Sequence, residues 1–434
     1  MFVTGICFLI RVLLSYAKPE THNSQLETFF SIFAANQSDP FMYPNLYYAF
    51  KDLFGVEWKF LRFVNSFGFF VAIAFIICAM VLANELRRKS KQGLFQPTEM
   101  QVMVGQPATM IDLGLNFLLG FLLGFKIIAL FIMDSSATQD PQAFIFSSLG
   151  SWPAGIGLGL LFAGLKWWEK NKQKLAKPEK RTVRIWPHDR VGEITIMALV
   201  FGLFGAKLFD IFENWGDFLK HPSDYIFSAQ GLTFYGGLIC AAIAIWWYAK
   251  KHKIGFWHLN DAMAPTMMLA YSLGRIGCQV SGDGDWGIPN TKPNPFSWLP
   301  DWMWSYRFPH NVNEQDPGVM IPGCTDTKFC NQLAVGHYPT AFYEIVVCFI
   351  LFLLIWSVRK KFKIPGTLFA LYLILNGMER FFIEKIRVNA TINLFGFQPT
   401  QAEVISTLLF LSGVIIWVLL YRKSKLKKST DANS

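Results

Sequence analysis

The chain has 434 residues, of which 53% are hydrophobic, 16% aromatic and only 16% charged, with a formal net charge of +10. A soluble domain carries about 25% charged residues, so this composition excludes a surface that meets water on all sides. It also excludes a disordered chain, a collagen-like repeat and a cysteine-dense secreted scaffold.

The first segment, Met1–Tyr16, is apolar but short and carries Arg11. It reads as a signal-like segment, an interfacial helix or an over-extended start, with Met42 as an alternative start. Residues 1–41 are therefore set apart as an N-terminal extension. Nine apolar stretches follow, at about 63–84, 113–133, 144–165, 191–212, 232–249, 257–276, 341–358, 366–384 and 402–421. Each approaches the roughly 20 residues that a helix needs to cross a bilayer. The sixth, the eighth and part of the fourth contain ionisable residues. The runs are continuous and lack period-2 alternation, which predicts helices. The expected fold is an all-α polytopic bundle of seven to nine spans over residues 42–421.

Basic residues collect in alternate loops: Arg87–Lys91, Lys166–Arg190, Lys250–Lys253, Arg359–Lys363 and Arg422–Lys428 together hold 25 of the 40. The intervening loops hold almost none. Nine alternating spans put every basic cluster on one side, the cytoplasm by the positive-inside rule. The N-terminus and the 277–340 loop then face outward, and residues 422–434 form a basic cytoplasmic tail. The positive charge is thus topological, with some lysines available to anionic lipid, and a nucleic-acid partner is not expected.

Cys324 and Cys330 both fall in the outward loop, where an oxidising environment favours a disulfide over two free thiols; no second ligand pair suggests zinc. The aromatic group Phe296, Trp298, Trp302, Trp304 and Tyr306 lies in the same loop. It either rests on the membrane surface or packs as a small core.

Ionisable groups at membrane depth are costly unless paired or wet, so each is a functional candidate. Here they include Lys126, Lys207, Asp210, Glu213, Asp261, Arg275, Glu344, Glu379, Arg380 and Glu384, with Arg387 at the edge. Arg275 sits in Gly274-Arg-Ile-Gly277-Cys278, just before the acidic, glycine-rich turn Ser281-Gly-Asp283-Gly-Asp285-Trp-Gly287. An arginine beside exposed backbone amides suits a phosphate; the alternative is an arginine paired with a neighbouring Asp. Arg380 and Glu384 are i and i+4, and Glu384 and Arg387 i and i+3, so a helix would align them in one stripe. That ladder either fixes an arginine against a ligand or satisfies itself as an ion network. Tyr343-Glu344 follows His337-Tyr-Pro339-Thr340, a helix start with Thr340 as a cap. Tyr235-Gly236-Gly237 opens the fifth stretch, with Tyr235 a site residue or an interfacial ring.

These motifs, in their order and spacing, resemble the prolipoprotein diacylglyceryl transferases from about residue 63 to 421. The resemblance is carried by Gly231–Gly237, by Asp261-Ala-Met-Ala-Pro265 leading to Gly274-Arg-Ile-Gly277, by Tyr338-Pro-Thr-Ala-Phe-Tyr-Glu344, by the Arg-Phe-x-x-Glu-x-x-Arg pattern of Arg380–Arg387 and by Gly205-Ala206-Lys207. It implies a bacterial plasma-membrane enzyme. Its substrates would be phosphatidylglycerol and a prolipoprotein signal peptide with its lipobox cysteine, the diacylglyceryl group passing to the thiol without cofactor or metal. On this resemblance Arg275 binds the phosphate and Arg380, positioned by Glu384, stabilises the same charge as it develops. Tyr235 orients thiol or headgroup, and Asp283, Gly287, Tyr343, Glu344 and Arg387 shape the headgroup site. The chain departs from the family at Tyr235, where a His is usual, at Cys278, where an Asn is usual, at Asn376, where a Tyr is usual, and in an acidic turn one residue longer. The base is left open among Tyr235, His310, His337, Asp283 and Glu344. A non-catalytic lipid- or prolipoprotein-binding relative and a small-solute transporter are the rival readings. The transporter would favour an internal repeat, and the Arg275 and Arg380 neighbourhoods do not match each other.

Overall fold

The computed structural model describes residues 42–432 apart from 133–143, 145–146, 221, 223–225, 227–232, 314–315, 325–327, 390 and 394–395. The 1–41 extension and Gly231 of the fifth-stretch motif lie outside the described residues. After a short amphipathic helix α1 (Leu46–Phe54), long helices occupy all nine apolar stretches: α2 (Ser66–Lys91), α3 (Met110–Leu123), α4 (Trp152–Lys172), α5 (Val191–Glu213), α6 (Phe234–Lys251), α7 (Phe256–Ser281), α8 (Thr340–Val358), α9 (Thr367–Glu384) and α10 (Gln401–Ala432). The path of α3 continues through a π turn, Gly124–Ile128, to Ala129–Ile132.

Among the described residues, five helical segments are long and apolar enough to cross a membrane: Ser66–Lys91, Met110–Ile128, Pro187–Glu213, Thr340–Val358 and Gln401–Leu426. The protein is an all-α polytopic membrane protein. Helices α7 and α9 are more polar because Asp261, Arg275, Glu379, Arg380 and Glu384 lie within them. The third predicted stretch begins later than expected. Pro153 stands in the first turn of α4, where its missing N–H costs nothing, and residues 147–151 remain non-helical.

The chain divides into two compact units. The first gathers Met1–Phe70, Gly274–Val346 and Phe381–Glu403. Its core is the aromatic cluster Met42, Trp286, Trp302, Tyr306, Phe308 and Leu333. Trp302 and Tyr306 therefore pack inward, while Phe296 and Trp298 stay exposed. A disulfide joins Cys324 to Cys330, with the Cα atoms 5.7 Å apart, beside the short antiparallel pair β3 (Val319–Met320) and β4 (Asn331–Gln332).

The second unit gathers Val71–Leu273, Val347–Arg380 and Val404–Ser434. Helices α5 and α6 approach closely through glycines, because a Cβ on Gly237 would lie 2.8 Å from the carbonyl of Gly202. Strands β1 (Thr98–Val104) and β2 (Glu179–Ile185) pair antiparallel in register, Thr98 opposite Ile185, and bracket α3 and α4. Lys126, in the π turn, saturates its ammonium on the carbonyls of Phe144, Ser147 and Leu149 at 2.8, 2.7 and 2.9 Å. Its charge is thereby satisfied locally.

Candidate functional site

The site lies wholly in the first unit, where α7 ends, α8 begins and the chain leaves α9. Arg275 is in the last two turns of α7. Its Nε contacts Glu344 Oε2 at 2.9 Å, and its Nη1 contacts Asp285 Oδ2. Arg387 contacts the same two carboxylates: Nη2 reaches Asp285 Oδ1, and Nη1 lies 3.4 Å from Glu344 Oε2. Two guanidinium groups and two carboxylates thus form a closed, charge-balanced ring. Glu344 is fully buried and Arg387 is 8% exposed, whereas Asp285 keeps 31% of its side chain accessible. Arg387 Nε is buried with no hydrogen-bond partner.

Local chain geometry explains how the ring is held. Helix α9 stops at Glu384, so Arg387 does not continue the helical stripe expected from its spacing. Instead it pairs as an isolated antiparallel bridge with Gly287, and Ile288 N donates to Ile386 O at 2.8 Å. Gly287 has no room for a side chain: a Cβ there would lie 2.5 Å from Ile386 O and 2.9 Å from both Thr340 Cγ2 and Tyr338 Cβ. Thr340 begins α8 itself, and its hydroxyl donates to the Asp285 carbonyl at 2.8 Å. It therefore ties the acidic turn to α8, a different task from the N-cap expected of it. Tyr343 donates its hydroxyl to Met303 O at 2.7 Å, which fixes the aromatic loop to the same helix.

Glu384 accepts from Asn389 at 2.6 Å and from Thr400 at 2.8 Å. Arg380 and Tyr235 belong to the second unit, Arg380 half-buried in α9 and Tyr235 half-buried in the first turn of α6 against Phe234. Asp285, a member of the turn but not singled out by spacing, proves central, and Thr340 supports it. The signal for Asp285 was its place two residues beyond Asp283 in a glycine-rich turn after an intramembrane arginine.

Electrostatics separate the two aspartates of that turn. Burial alone would raise the Asp285 carboxyl, but Arg275 and then Arg387 outweigh it and hold it well below the usual carboxylate range. Asp283 moves the other way: crowding by protein, then the Asp285 charge, push it above that range. Cys278 Sγ lies 3.7 Å from Arg275 Nη1. Cys278, Asp283 and Asp285 present donor atoms within 4.8 Å of one another, a spacing that would admit a cation. Two guanidinium groups already occupy Asp285, so the charge balance favours the ion-paired ring.

Fold and site together define a class: a multi-pass membrane protein with a paired-arginine cluster at the ends of its helices. Residues 154–419, more than half of the chain, match the family described as prolipoprotein diacylglyceryl transferase, and the chain belongs to that family. Among similar proteins, the phosphatidylglycerol–prolipoprotein diacylglyceryl transferase of Clostridium novyi (strain NT) is 28% identical over 244 residues, covering 56% of this chain and 82% of the relative. The enzyme of the same name from Dehalococcoides mccartyi (strain CBDB1) is 29% identical over 290 residues, 66% of this chain and 95% of its own. That of Clostridioides difficile (strain 630) is 29% identical over 238 residues, 55% and 81% respectively.

Proposed function

We propose that this protein transfers the diacylglyceryl group of phosphatidylglycerol to the lipobox cysteine of prolipoproteins, at the outer side of a bacterial plasma membrane. The observation that carries the reading is the ring of Arg275 and Arg387 on Asp285 and Glu344, with the Arg387 Nε donor left over, in a chain of this family. A phosphodiester is an anion, and guanidinium groups bind it through directed N–H donors. Their carboxylate partners fix both groups before the lipid arrives, so little reorganisation is needed as charge develops on the leaving phosphate. The thiol attacks the glyceryl carbon, a thioether C–S bond forms, the C–O bond to phosphate breaks, and glycerol phosphate leaves with the electron pair.

In this reading Arg275 and Arg387 hold the phosphate, Asp285, Glu344 and Gly287 set their geometry, and Tyr343 anchors the loop above α8. The roles of Arg380 in charge stabilisation and of Tyr235 in orienting thiol or headgroup rest on the family resemblance. The test is incubation of the purified protein with phosphatidylglycerol and a lipobox peptide, followed by peptide mass measurement. A gain equal to one diacylglyceryl group is expected, and an unchanged mass would refute the reading.

A further inference from the structure

We propose that Asp283 is the general base that takes the proton from the lipobox thiol. The inference rests on the transferase reading and settles on one group where the sequence left five. The carboxylate of Asp283 already stands beside a thiol: one of its oxygens, the Cys278 sulfur and an Asp285 oxygen lie within 4.8 Å of one another. That same sulfur lies 3.7 Å from Arg275 Nη1. A sulfur at this place is therefore within reach of both a proton acceptor and the guanidinium that holds the phosphate, the two groups that the reaction requires side by side.

The surroundings fit the role. Asp283 is exposed to solvent, whereas Glu344 is sealed in and shared by two arginines. The loop is held rigidly on either side. Gly282 and Gly284 adopt φ values of 64° and 100°, and a Cβ on Gly282 would lie 2.8 Å from Met42 Sδ and 2.9 Å from Asn311 Cβ. Asp283 Oδ1 accepts from Asp285 N at 3.4 Å. His310 and His337 are each engaged through Nδ1 with backbone carbonyls, Phe329 O at 2.6 Å and Val335 O at 2.9 Å.

Among the described residues, the charged and titratable groups around Asp283 are Arg275 and Cys278 of α7, Asp285 of its own turn, and, through Asp285, Arg387 and Glu344. Crowding and the Asp285 charge strengthen Asp283 as a base, while the Cys278 thiol and Arg275 oppose them. The proton balance is simple. The carboxylate takes the S–H proton, the thiolate forms the C–S bond, the phosphate ester oxygen leaves with its electrons, and the carboxyl returns its proton to solvent or to the departing phosphate.

The experiment compares wild type with Asp283→Asn and Asp283→Glu, using phosphatidylglycerol vesicles and two lipobox peptides, one with cysteine and one with selenocysteine. A selenol is ionised at neutral pH and needs no base. With the cysteine peptide, kcat for D283N should fall by about 10² to 10⁴ at little change in lipid KM, and D283E should recover most of it. Wild-type rate should rise with pH on an acid limb whose midpoint lies above that of an ordinary aspartate; the limb should be absent in D283N and displaced in D283E. With the selenocysteine peptide, D283N should approach wild type. Equal impairment on both peptides would assign Asp283 a positioning role and overturn the proposal, as would D283N activity within about threefold of wild type on cysteine. No transfer by wild type would overturn the transferase reading itself, and the base assignment with it.

Discussion

Each unit contains a buried ionic cluster, and the two clusters are built differently. In the second unit Asp261 accepts backbone N–H groups of Gly366 and Phe369 at 2.8 and 3.0 Å, which satisfies the start of α9. Lys89 lies 3.7 Å from the same carboxylate and donates to His258 O at 3.1 Å. Nearby in sequence, Glu85 holds Arg88 at 2.5 Å and Arg359 at 3.1 Å. Here carboxylates serve the backbone or bind arginine side chains in place, and the groups are occupied by the fold. In the first unit Asp285 and Glu344 are each shared by two guanidinium groups, one acid stays partly accessible, and an arginine N–H is left over. Burial and ion pairing alone therefore do not mark a site; what distinguishes the first cluster is an accessible carboxylate beside an arginine N–H that the ring leaves over.

This contrast can be broken by mutation. The largest effect is expected at the first cluster: Arg275→Ala should lower transfer by more than about 10³-fold while the protein stays membrane-inserted, and Arg380→Ala should do the same on the family resemblance. Peptide mass and membrane fractionation measure both, and full activity in R275A would remove the distinction. Asp261→Ala should act oppositely. It leaves Lys89 without its counter-ion and two amides without an acceptor at a cost of about 3–5 kcal/mol, lowering the detergent thermal transition while the folded fraction keeps its turnover. Gly287→Ala would push the bridge away from Ile386 and displace Asp285, at about 10²-fold in turnover with a smaller change in melting. Thr340→Val removes one hydrogen bond to the acidic turn, about 1 kcal/mol, and should appear as a modest rise in lipid KM.

A pH titration sharpens the same comparison. The Asp285 carboxyl is held low, so its stabilisation is present above the unfolded value near about 3.9 and is lost only as pH falls through the lower folded value. Asp285 should therefore contribute no change in thermal stability between about pH 5 and 8, and a transition traced to it by comparison with Asp285→Asn in that window would contradict the ring.

The helices were legible because continuous apolar runs of bilayer length leave the backbone little alternative. Arg275, Glu344 and the turn from Asp283 to Gly287 were legible as charge where charge is costly. The partnership of Arg275 with Glu344 was not, because it joins the end of one helix to the start of another and no local period encodes it. The Arg387 stripe was misjudged for a related reason: i, i+3 spacing assumes that the helix continues, but a non-local bond from Ile288 to Ile386 O captures the chain in extended form. The choice between Asp283 and Asp285 as the arginine partner also needed coordinates, since both stand in one flexible-looking turn.

The pairing of β1 with β2 has a consequence for how the chain was assembled. Thr98 faces Ile185 across the ribbon, so the excursion through α3 and α4 departs from and returns to a single point. Such a closed detour is a cassette: a short splice across its neck would excise it without stretching the flanking chain. Within this detour the Lys126 ammonium finds all three of its acceptors on local carbonyls.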